Sequence, residues 1–106
     1  MDGMKERADA FEQKYMIDEE LRFKANALSN RMIGLWAADR LGKTGEAADE
    51  YAKEVVNASF QRGNEEAVVQ KIVHDFHASN VEIDESKLRN KMAQLLREAI
   101  ERVKNS

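Results

Sequence analysis

Asn30-Arg31-Met32-Ile33-Gly34-Leu35-Trp36-Ala37-Ala38-Asp39-Arg40-Leu41-Gly42 is the stretch on which the fold turns. Its apolar residues fall on more than one face of a helix, the pattern of an element surrounded by others. Gly34, Ala37 and Ala38 remove side-chain bulk beside the large Trp36, so a neighbouring helix can approach closely there. Gly42 follows Arg40 at the point where helices commonly end in a left-handed residue. The stretch reads as the last turns of a tightly packed core helix.

Downstream, helix follows helix, with glycine or asparagine at the joins. Thr44, followed by Glu46, predicts a helix over 45–62 with Ala48, Tyr51, Ala52, Val55 and Ser59 on one face, ending near Gly63. Asn64, with Glu65 and Glu66 behind it, opens a helix over 65–79, where Val68, Val69, Ile72, Val73 and Phe76 recur at threes and fours until Asn80. Val81-Glu82-Ile83 alternates like a strand but has no partner strand. Asp84 then caps a last helix carrying Leu88, Met92, Leu95, Leu96, Ala99 and Val103. Short connections favour antiparallel neighbours, so the fold class is all-α, a four-helix bundle.

Upstream, Asp18 can cap the first of these helices, over 18–41, with Glu19 and Glu20 in its positive first turn. Before it lies a different kind of sequence. Met4, Ala8, Phe11 and Tyr15 are spaced by four, three and four on an otherwise polar segment, which places one narrow apolar seam along a helix-prone N-terminal extension. So thin a seam suits a coiled-coil or groove-docking face better than the broad side of a core helix. A continuous helix from Met4 to Leu41 would span about 57 Å, against about 26 Å for residues 88–104, so the excess must project, hinge or fold back. Residues 1–17 are therefore expected to form a partner-binding segment and residues 18–106 the bundle. A seam this small offsets little of the cost of ordering its own backbone, and a partner's surface would tip the balance.

Composition limits the alternatives. The chain of 106 residues has neither proline nor cysteine, so no disulfide or thiolate metal site holds it together and packing alone must do so. Seventeen basic and 20 acidic residues are mixed along the chain for a net charge of −3, which leaves no basic face for a nucleic-acid backbone. Met32 to Ala38, the longest nearly uninterrupted apolar run, falls far short of the roughly 20 residues that cross a bilayer, and no signal core opens the chain. A cytoplasmic protein without direct membrane insertion is expected.

Motifs for chemistry are weak. Gly42-Lys43-Thr44 imitates the end of a phosphate-binding loop, but the required earlier glycine is Ala37 and a helix precedes it. A helix end followed by a helix start explains all three residues. His74 and His77 share a face without a clear third ligand and read as partly exposed neighbours of Val73 and Phe76. No Glu-x-x-His pair points to a di-iron centre. Serines and carboxylates occur without a local nucleophile signature, and Glu12, Asp18, Glu19, Glu20, Asp49 and Glu50 read as caps and solvated charges. Neither a cofactor nor an enzymatic activity is expected.

The central stretch, with its Gly-Leu-Trp-Ala-Ala core, acidic Asp39 and later Leu41-Gly42, resembles the ATPase inhibitor zeta subunit family of alphaproteobacteria. The likeness continues upstream in Arg7, Phe11-Glu12, Lys14-Tyr15, Asp18 and Glu20-Leu21-Arg22-Phe23. Downstream it continues in Gly45-Glu46, Tyr51-Ala52-Lys53 and Val55-Val56. Met4 stands where many members carry an aromatic residue, and Tyr15 where phenylalanine is common. The resemblance implies a protein, monomeric when free, that binds the alpha, beta and gamma subunits of the F-type ATP synthase head and sits peripheral to the inner membrane when bound. It implies insertion of the N-terminal helix at a catalytic alpha/beta interface near the gamma stalk, blocking rotation and hence ATP hydrolysis. Met4, Ala8, Phe11 and Tyr15 would then form the apolar contact, and Lys5, Arg7 and Lys14 would set register against acidic groups. Two rivals remain: a small bundle binding a nucleotide or other small ligand near Trp36 or Gly42, and a scaffold that self-associates through the seam.

Overall fold

A computed structural model describes the backbone of residues 2–61 and 64–105, with side chains among these from residue 19 onward. Its elements are α1 (Asp2–Arg40), α2 (Gly45–Ser59), α3 (Asn64–Ala78) and α4 (Glu85–Asn105), with no strand among the described residues. α1 is continuous through position 18, where the sequence pattern predicts a helix start. Nothing between Gly3 and Gly34 breaks it: the stretch holds no glycine and no proline, so the capping signal of Asp18 is overridden by helix propagation.

α2 runs antiparallel to α1, α3 antiparallel to α2 and α4 antiparallel to α1, with α4 crossing α3 more steeply. Gly34 of α1 lies against Ala52 and Val55, and Phe23 against Phe60, so α2 descends as α1 ascends. Glu54 meets Lys71 and Tyr51 meets Asp75, which sets α3 against α2. α4 returns beside α1 and closes on α3 through Arg89 and Glu66. The α1–α2 approach is as close as the sequence predicts. A methyl group on Gly34 would stand 2.8 Å from the Ala52 Cα, inside any tolerable contact, so glycine fixes how deeply the two helices interlock.

Packing follows the apolar spacing. Ile33, Ala37 and Ala38 of α1, Tyr51 and Val55 of α2, Val68, Val69, Ile72 and Phe76 of α3, and Leu88 and Leu95 of α4 make one buried cluster. Each large aliphatic or aromatic member contributes about 1.5–3 kcal/mol by leaving water. Met92, Leu96, Val73 and Val103, predicted on the inner faces, are half-buried at the margin. The Val81-Glu82-Ile83 link pairs with no strand; its two apolar side chains rest partly buried on the core while Glu82 faces water.

Three joins behave largely as their residues dictate. Gly42 is left-handed (φ 79), its N–H bonds the Asp39 carbonyl at 3.0 Å and the Lys43 N–H bonds the Ala38 carbonyl at 2.8 Å, which together terminate α1. The same pair of bonds recurs after α3, where Asn80 (φ 57) donates to His77 and Val81 to Phe76. Asp84 caps α4 through its side chain, accepting from Ser86 at 2.9 Å and Lys87 at 3.2 Å. Thr44 does stand at the N-cap of α2 with extended backbone, but its hydroxyl makes no capping bond. The left-handed Gly45 (φ 55) immediately after it alters the path into the first turn. α2 also stops at Ser59 rather than 62, because the Phe60 N–H donates to the Asn57 carbonyl in a tighter turn in place of a continued helix; Arg62 and Gly63 lie outside the described residues.

Candidate functional site

The seam residues Ala8, Phe11 and Tyr15, together with Met4, Lys5, Arg7 and Lys14, lie outside the described side chains. What the structure describes is the end of the bundle from which α1 carries them. At that end Phe23 of α1 and Phe60, just beyond α2, stack with ring centroids 6.3 Å apart, yet remain 64% and 62% exposed. Beside them a groove of about 480 Å³ opens among α1, the α2–α3 join and α4, with Asn26, Ile33, Ser59, Met92 and Leu96 in its lining. An exposed contiguous aromatic pair over an apolar floor differs from the single apolar residues scattered on any surface. Sequence periodicity does not reveal this pair. Phe60 lies outside the Ala48-to-Ser59 stripe and Phe23 outside the seam; the only signal is that each is an aromatic residue no helical face accounts for.

The α2–α3 seam is ionic. Tyr51 is buried and donates to Asp75 Oδ2 at 2.8 Å, while Lys71 donates to Asp75 Oδ2 and to Glu54 Oε1, both at 3.0 Å, with its ammonium 5.0 Å from the Tyr51 ring centroid. Burial, reinforced by the bond to Asp75, pushes the Tyr51 phenol far above its ordinary value, so it acts as a permanent neutral donor. Partial burial pulls Lys71 down, but the bonds to Glu54 and Asp75 outweigh it and hold the ammonium above its ordinary value. On α3 and α4, Arg89 pairs with Glu66 at 2.8 Å; that bond lowers the carboxyl of Glu66 and raises Arg89. These groups neutralise one another within the fold and leave no mismatched acid and base of the sort that proton-transfer chemistry needs.

At the other end, a wider cleft lies between Trp36, Arg40, His77 and the α4 residues Lys87 and Lys91. The Arg40 guanidinium sits 4.5 Å from the Trp36 ring centroid, and Trp36 stacks on Phe76 at 6.3 Å. His74 and His77 are both exposed, and among the described residues no three His, Cys, Asp or Glu side chains are grouped to hold a metal ion. Gly42-Lys43-Thr44 is the helix join that its residues predict, with no strand before it. The two buried serines are engaged locally: Ser29 donates to the Asn26 carbonyl at 3.1 Å and Ser59 to that of Val56. No described helix is long and apolar enough to cross a membrane.

Comparison with known proteins agrees with this geometry. A protein structure solved by solution NMR is similar at 35% identity and a TM-score of 0.70, covering 80% of this chain and 96% of that one. No curated protein matches. The family model of the ATPase inhibitor subunit zeta matches residues 1–102, from the N-terminal seam to the last turn of α4. The chain therefore belongs to the ATPase inhibitor subunit zeta family, whose members are inhibitor subunits rather than catalysts.

Proposed function

We propose that this protein restrains ATP hydrolysis by the F-type ATP synthase by inserting residues 1–17 at a catalytic alpha/beta interface near the gamma stalk, with residues 18–106 as a folded support. The observation that carries this reading is the mismatch in helix length within a chain of this family. α1 has 39 residues while its antiparallel neighbour α4 has 21, and among the α1 side chains described, from residue 19 onward, the first buried one is Ala25. On this reading the bundle's core closes without the Met4, Ala8, Phe11 and Tyr15 seam, and the seam gains its burial in a partner's groove. Lys5, Arg7 and Lys14 flank the seam and fix its register against acidic groups of the head. The bundle adds a second contact and raises the arm's effective concentration.

The test is an ATP hydrolysis assay on the cognate synthase head, comparing the full chain with one beginning at Asp18 and following helix content by circular dichroism. Inhibition is expected to disappear with the arm while the bundle stays folded; retained inhibition by the shorter chain overturns the assignment.

A second reading rests on the cleft at the opposite end, where Arg40, Lys87 and Lys91 lie near Trp36 with Glu82 and Asp84 in the same lining, a mixed polar wall for a small ligand. A saturable change in Trp36 emission on adding nucleotide, equal with and without residues 1–17, would support it.

A further inference from the structure

We draw no further inference here: the strongest candidate, the apolar groove beside Phe23 and Phe60 at the end of the bundle from which α1 departs, carries nothing because no feature of the structure shows what covers it.

Discussion

Two stacked aromatic pairs, each with centroids 6.3 Å apart, sit at opposite ends of the bundle and have opposite fates. Trp36 and Phe76 are anchored in the fold: Phe76 is fully buried and Arg40 lies over the indole, which is half-buried at the edge of the cleft. Phe23 and Phe60 are left in water beside an open groove. The same contact serves cohesion where the turns converge and remains available for recognition where α1 outruns its neighbours. On the proposed function, stability and recognition are segregated along the length of the helices.

The sharpest way to break this contrast is to truncate one ring from each pair. Phe76→Ala is expected to destabilise the fold by about 3–5 kcal/mol through cavity formation. Phe60→Ala should change the urea midpoint by no more than about 0.5 kcal/mol equivalent, as at other exposed positions. Equal losses would show that the exposed pair is structural after all. Next in size is Gly34→Ala. Overpacking against the Ala52 backbone costs about 1–3 kcal/mol and the better helix propensity returns about 1, so a net loss of up to about 2 kcal/mol is expected in a thermal melt. Stabilisation would mean that the anchored end tolerates wider spacing.

A smaller effect than that of Gly34→Ala is expected at Tyr51. Its phenol is raised in the folded state, so its contribution is complete below the ordinary value of 10.0 and is lost as pH rises beyond it, because only the unfolded chain ionises. Tyr51→Phe should cost about 0.5–1.5 kcal/mol at neutral pH through the lost bond to Asp75. The gap from the parent should then narrow in urea melts at pH 11; a gap independent of pH would show that Tyr51 is ordinary in the fold.

Much of the architecture was legible in the sequence because its signals are local. Gly42 and Asn80 adopt the left-handed turns their positions call for, Asp84 makes the predicted cap, and the Val68-to-Phe76 stripe is the buried face of α3. Local signals failed where a neighbour or the whole element decided the outcome. Asp18 is a good capping residue inside a helix with no breaker, and Thr44 precedes a left-handed glycine that alters its approach. The candidate site divides in the same way. The N-terminal seam is a periodicity and can be read directly. The Phe23–Phe60 pair joins residues 37 positions apart through the antiparallel return of α2, so it becomes visible only once the helices are packed.

The even count of alternating helices also has a practical corollary for anyone tethering this protein. The close of α4 comes back to the point where α1 leaves its companions, so a fluorophore or affinity tag fused after Asn105 would crowd the end assigned to the motor. The Leu41-to-Thr44 bend stands about 30 Å away, at the far end of α4's 21 residues, and is the sounder anchorage for surface immobilisation or single-molecule pulling.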